Sequence, residues 1–178
     1  MKASILKKSL ISMIDSKIPV FVWGNPGVGK SSIIKQIAND KNMEFIDLRL
    51  SLLDPTDLRG IPFFDSANKS AIWAKPEFLP NSNSQAFGIL FLDEINSAPP
   101  TVQAAAYQLI LDRKIGEYTL PMNYAIVAAG NYESDRGVTY RMPTPLANRF
   151  VHLDFELDFE EWKSWAYESK IDTRIISF

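Results

Sequence analysis

The sequence of 178 residues contains no cysteine, which excludes disulfides and thiolate-bound metals and agrees with a reducing compartment. It contains no apolar run near the roughly 18 residues that a membrane span needs. Its start is not a signal peptide: Lys7 and Lys8 interrupt the apolar residues, and no small-residue cleavage site follows. It has little charge of either sign in excess. A net charge of −2 gives no global field that favours nucleic acid or an anionic membrane. Internal repeats and low-complexity tracts are absent. The single histidine, His152, alternates with apolar neighbours and reads as a strand-surface residue rather than a base. What remains is ordinary globular composition, 46% hydrophobic and 22% charged, in a chain long enough for one domain with a buried core. A cytoplasmic protein is the expectation.

Along the chain, apolar and polar residues alternate between two periods. Ile5, Leu6, Leu10, Met13 and Ile14 recur at helical spacing and mark an opening amphipathic helix that Pro19 ends. Val20 to Trp23 reads as a buried strand, and Ile33, Ile34, Ile37 and Ala38 mark a helix behind it. Phe45 to Leu50 reads as a second strand. Asp54-Pro55 starts a short helix, with a capping side chain and proline in the first turn, and Gly60 and Pro62 close it. Residues 61–87 break the rhythm with three prolines and the run Asn81-Ser82-Asn83-Ser84. They read as an insertion holding a hairpin through Phe63, Phe64, Ile72 and Trp73. Gly88 to Leu92 is a third strand, and Pro99-Pro100 opens a helix through Leu111. Arg113 to Leu120 reads as a hairpin about Gly116, followed by a strand from Tyr124 to Ala129. Pro143 and Pro145 precede a short helix ending at Arg149. Val151, Leu153 and Phe155 alternate as in a strand with one wet face. Asp158 and Glu161 form a capping-box-like helix start, with Trp162, Trp165 and Ala166 as its apolar stripe. Apolar strands alternating with helices imply an α/β fold with a parallel sheet covered on both faces.

One stretch carries chemistry of its own. In "VWGNPGVGKSS", Gly24 is followed after four residues by Gly29, Lys30 and Ser31, the full G-x-x-x-x-G-K-[ST] pattern of a phosphate-binding loop. Glycines let successive N–H groups turn toward phosphate oxygens, and the helix that follows adds its unpaired N-terminal donors. The loop and helix start, Gly24, Asn25, Pro26, Gly27, Val28, Gly29, Lys30, Ser31 and Ser32, are the candidate nucleotide-binding residues. Lys30 is suited to neutralise the β and γ phosphates, and the Ser31 hydroxyl to ligate Mg²⁺. A bland reading is a strand–turn–helix corner with an incidental lysine.

Such a loop needs a metal-side carboxylate at the end of a neighbouring strand. "GILFLDEIN" supplies Asp93 and Glu94. Asp93 is suited to hold Mg²⁺ through water, and Glu94 to polarise an attacking water. A second carboxylate beside the metal-side aspartate points to an ATPase of the additional-strand class rather than a GTPase switch. Asn131, ending "VAAGN", is suited to orient that water or touch the γ-phosphate. The competing reading is a turn-forming asparagine.

Taken together, "GNPGVGKS", "LLDPTDLRGIP", "ILFLDEINSAPPTVQAAAYQLILDRKIGEYTL", "IVAAGN" and "MPTPLANRF" resemble the MoxR type of AAA+ ATPases, the clade with an insertion in helix 2. The resemblance implies a P-loop NTPase core of five parallel strands between helices, working as a hexameric ring with ATP and Mg²⁺. It makes Lys30 and Ser31 the Walker A residues, Asp93 and Glu94 Walker B, and Asn131 sensor 1. Arg149 becomes an arginine finger acting in trans on the neighbouring subunit's nucleotide. Residues 1–157 match the ATPase core, with 61–87 as the helix-2 insertion and 113–122 as the hairpin before sensor 1. Residues 158–178 match the start of a helical lid whose remainder, with its second sensor arginine, is largely absent. Arg174 falls too early for that role. On this reading the chain as it stands is monomeric and weakly active.

Clients of the family are proteins, often partnered by von Willebrand factor A-domain proteins. The rival reading is a nucleic-acid-acting motor or loader, kept open by Arg113 and Lys114 in the hairpin. It is opposed by the acidic balance and the lack of a DNA-binding motif. A nucleotide-binding scaffold without turnover is a third reading, opposed by the Asp93-Glu94 pair. Arg136 and Arg141 either face a neighbour's nucleotide or sit in a solvated loop. Trp73 and Phe78 either pack the insertion or offer a patch to a partner.

Overall fold

Five parallel strands in the order β2-β5-β8-β1-β9 carry the fold. They are β1 (Val20–Trp23), β2 (Glu44–Arg49), β5 (Gly88–Asp93), β8 (Tyr124–Gly130) and β9 (Val151–Asp154). The computed structural model describes residues 1–132 and 140–176. α1 (Ala3–Asp15) precedes β1, and the connections hold α2 (Lys30–Asp40), α3 (Pro55–Arg59), α4 (Pro100–Asp112) and α5 (Thr144–Ala147). α6 (Phe159–Glu168) and α7 (Thr173–Ile176) follow the sheet. Two small antiparallel hairpins lie outside it: β3 (Ile61–Asp65) with β4 (Ser70–Ala74), and β6 (Lys114–Ile115) with β7 (Tyr118–Thr119).

The pleat sorts the central strands onto two cores. Ile89 and Phe91 of β5 face one way, onto Leu6, Leu10 and Ile14 of α1 and Ile34 and Ile37 of α2. Leu90 and Leu92 face the other way, onto Leu58 of α3 and Val102, Ala106 and Leu109 of α4. Alternate side chains of one strand thus serve opposite layers, and burial on both faces explains why these strands are apolar throughout. β8 lies between β1 and β5, as an additional-strand ATPase requires.

Several expectations need correction. Helix α1 stops before Pro19, with Ser16 as C-cap and Lys17 left-handed, and Ile5 lies on its wet face. β2 ends at Arg49, and Leu50 already belongs to a short 3-10 turn. Val151 is exposed because β9 is an edge strand. Trp165 is 44% exposed, so it does not anchor α6; Ala166 is the buried residue there, and Trp162 stacks on Phe159. α6 is instead tied to α1 by polar contacts. Asp158 accepts from Glu161 N–H (3.0 Å) and pairs with Lys2 (2.7 Å), and Ser4 Oγ donates to Glu161 Oε1 (2.6 Å).

Candidate nucleotide site

In a parallel sheet all carboxyl ends share one edge, and ligands bind there at a topological switch point. The singled-out residues stand at that edge. β1 leads into the glycine loop, β5 into Asp93 and Glu94, β8 into Asn131 and β2 into Ser51.

The loop between β1 and α2 is shaped by Gly27 (φ 76°) and Gly29 (φ 101°). A side chain at either position would cost on the order of 1–2 kcal/mol in the left-handed region. Gly29 is also the N-cap of α2, so the first N–H groups of the helix open onto the loop. Asn25, Pro26 and Gly27 form its exposed rim, Val28 packs on the α1–α2 core, Gly24 is buried, and Ser32 lies exposed on α2. Lys30 is only 8% exposed. Its ammonium donates to Gly24 O (2.6 Å), Asn25 O (3.1 Å) and Asn131 Oδ1 (2.9 Å). The lysine of the loop and the amide at the end of β8 are therefore in direct contact.

Asp93 bridges two neighbours. Its Oδ2 accepts from Ser31 Oγ (2.9 Å) and its Oδ1 from Glu94 N–H (2.9 Å). Ser31 and Asp93 thus present two hard oxygens side by side, the donor type that Mg²⁺ prefers. The described residues hold no cluster of three or more His, Asp or Glu for a metal. A magnesium ion bound largely by phosphates and water needs none, so the residues present fit that ion. Glu94 sits at φ 55°, unusual for a non-glycine residue and the kind of strain found at functional sites. Its carboxylate accepts from the Ser51 hydroxyl.

Ser51 and Asn96 are site residues that sequence reasoning missed. Nothing in "RLSLL" distinguishes Ser51, because its relation to Glu94 exists only through the β2–β5 register. Asn96, in the 3-10 turn Ile95–Ser97, carried the one available signal: an amide two residues beyond the acidic pair.

Other candidates separate. Arg149 follows α5 and is exposed; its N–H donates to Leu146 O (3.1 Å), and its side chain makes no hydrogen bond or ion pair among the described residues, while its neighbour Phe150 is buried edge-on against Phe21. The chain does not bring Arg149 to its own Lys30–Asp93–Asn131 cluster. Arg141 is exposed, and Arg136 lies outside the described residues. Arg113 turns inward, donating to Pro121 O and Tyr124 O (2.6 Å each), and burial lowers its guanidinium pKa from the ordinary value. Phe78 packs against the core, whereas Trp73 stays exposed on the β3–β4 hairpin. His152 is fully engaged, accepting from Trp23 Nε1 (2.8 Å) and donating through Nε2 to Ala147 O (2.8 Å).

The fold and this edge define a P-loop nucleotide-binding core of the additional-strand class. Residues 19–152 match the ATPase family associated with various cellular activities (AAA), and the chain belongs to that family. Chaperone MoxR1 of Mycobacterium tuberculosis is 28% identical over 152 residues, covering 83% of this chain and 38% of that protein. That match is a likeness to a MoxR-type protein. The replication factor C large subunit of Ignicoccus hospitalis is 30% identical over 107 residues, covering 60% of this chain and 20% of its own. The chain thus spans well under half the length of either relative.

Among solved structures, a Cytophaga hutchinsonii protein described as a candidate ATPase superposes with a TM-score of 0.66 at 22% identity, covering 95% of this chain and 51% of that one. NtrX of Brucella abortus, in complex with ATP, superposes at 0.60 with 16% identity, covering 94% and 39%. These likenesses concern the fold. Among the described residues no helix is long and apolar enough to cross a membrane.

Proposed function

We propose that the chain binds ATP with Mg²⁺ and hydrolyses the terminal phosphoanhydride as the motor core of a ring-forming, MoxR-like chaperone that remodels a protein client. The observation that supports this is the continuous polar cluster at the sheet edge. Lys30 meets Asn131, Ser31 meets Asp93, and Glu94 stands beside Asp93. The loop N–H groups and Lys30 bind and orient the phosphates. Ser31 and Asp93 would hold the ion, which supplies charge neutralisation on the transferring phosphoryl group. Glu94 takes the proton of the attacking water, and Asn131 fixes that water or the γ-phosphate. The surface position of Arg149 agrees with a finger offered to a neighbouring subunit. Residues 1–157 serve as the ATPase core and 158–178 as the start of a lid. A cytoplasmic location and a von Willebrand factor A-domain partner belong to the same reading.

Substituting Glu94→Gln tests it. ATP affinity should stay within about twofold while turnover falls by about 10²–10⁴-fold, the usual contribution of a general base. Retained turnover would remove Glu94 from the mechanism. The nucleic-acid reading has one comparison in its favour, the replication factor C relative. Against it, Arg113 is turned into the protein rather than onto a binding face. Salt-dependent DNA binding by the assembled protein would favour that alternative.

A further inference from the structure

Asn96 is 1% exposed, and both polar atoms of its side chain act on one other residue. Nδ2 donates to Asn131 O (2.7 Å), and Oδ1 accepts from Asn131 N–H (3.3 Å). Turning the amide over would set donor against donor and acceptor against acceptor, so the pairing fixes its orientation. The main-chain carbonyl of Asn96 in turn accepts from Tyr140 N–H (2.6 Å). Asn131 and Tyr140 are thus both tied to one residue, itself two positions beyond Glu94. Gly130 makes the approach possible: a Cβ there would lie 2.3 Å from Asn96 Oδ1 and 2.7 Å from Phe21 Cζ. Filling the core does not call for this amide. A buried polar side chain is costly unless bonded, and an apolar residue of similar size would pack without that cost.

We infer that Asn96 is a positioning residue that locks the main chain of Asn131 to the turn carrying Glu94. The Asn131 amide, in contact with Lys30, and the Glu94 carboxylate then keep a fixed separation on either side of the reacting phosphate. The inference rests on the proposed hydrolytic reading and deepens it. Ser31 and Asp93 hold each other, and Lys30 keeps Gly24 O and Asn25 O besides its contact to Asn131, so loss of the clamp should largely spare binding and harm turnover.

The test uses Asn96→Asp, which keeps the acceptor and the size but loses the donor, and Asn96→Ala, which loses both. Each is made in the full chain, alone and together with Asn131→Ala. Turnover of ATP, the dissociation constant of a non-hydrolysable ATP analogue and hydrogen exchange at the Asn131 amide are measured. Turnover is expected to fall by about 10- to 100-fold, the scale of a small misplacement near the reacting atoms, with analogue binding within about twofold. In the Asn131→Ala background the further fall should be under about twofold, because residues acting through one another are not additive. Exchange at the Asn131 amide should quicken in Asn96→Ala.

Unchanged turnover with unchanged exchange would overturn the inference, and so would an equal loss in both backgrounds. If the unmodified protein shows no turnover, the hydrolytic reading fails. Asn131 exchange then decides the clamp alone: faster exchange supports it and unchanged exchange refutes it. If Asn96→Ala does not fold, the same exchange measurement on Asn96→Leu decides, because leucine fills the space but offers no acceptor to the Asn131 N–H.

Discussion

β5 and the β3–β4 hairpin are neighbours in the sequence and opposites in packing. All six residues of β5 are buried, as are all seven of β8 beside it. In the hairpin nine of the ten strand residues are exposed, among them Phe63, Phe64 (75%), Ile72 and Trp73. Both regions are rich in apolar residues, so hydrophobic content alone does not say what a segment does. In β5 the apolar residues fix the height and direction of the strand end, and so the positions of Asp93 and Glu94. In the hairpin they fix nothing in the core, and the site is assembled without them. Chemistry at the sheet edge therefore depends on the central strands and not on the insertion.

Stability measurements should show the contrast at full size. Phe91→Ala removes a ring buried between β5 and the α1–α2 layer and should cost about 3–5 kcal/mol in chemical denaturation. Phe64→Ala should stay within about 0.5 kcal/mol, as for an exposed position. Comparable losses at both sites would mean that the hairpin packs against something in solution and would break the comparison.

A smaller effect is expected at the site itself. Ser51→Ala removes the hydroxyl that occupies the Glu94 carboxylate. A hydrogen bond of about 1 kcal/mol corresponds to a rise in turnover of up to about fivefold, with ATP affinity unchanged. A fall in steady-state turnover would show that Ser51 supports Glu94 instead of restraining it.

Much of this was legible in the sequence, for reasons that differ by element. The glycine loop is a local spacing, and each residue's part follows from its immediate neighbours. β5 and β8 are continuous apolar runs, which buried parallel strands require. The short helix after Asp54 was legible from its cap, and Asp54 and Asp57 do form a reciprocal capping box. Ser51 and Asn96 were not legible, because their partners lie 43 and 35 residues away and meet them only through the parallel register. Ile5 and Trp165 misled in the other direction. Helical spacing marks a face as apolar but does not say how far a partner covers it, and both lie beyond the covered strip.

The smallest effect concerns the attachment of α6. Lys2 and the Glu161 N–H hold the Asp158 carboxyl below its ordinary pKa of 3.8, and Ser4 holds Glu161 below 4.5. Folded values below the unfolded ones mean that these contacts stabilise above the ordinary carboxylate range and are lost as the pH falls through the lowered values. Thermal melts between about pH 5 and pH 3 should lose slightly less stability in Asp158→Asn than in the unmodified protein. An identical acid profile would remove Asp158 from the account of how α6 is held.

The most direct measurement of the central claim is a residue-by-residue map of amide chemical shifts on adding ATP with Mg²⁺. The predicted result is movement at Gly27, Gly29, Ser31, Glu94 and Asn131, with residues 61–74 of the hairpin region unmoved. Shifts confined to the hairpin, with the glycine loop and the ends of β5 and β8 silent, would contradict the account.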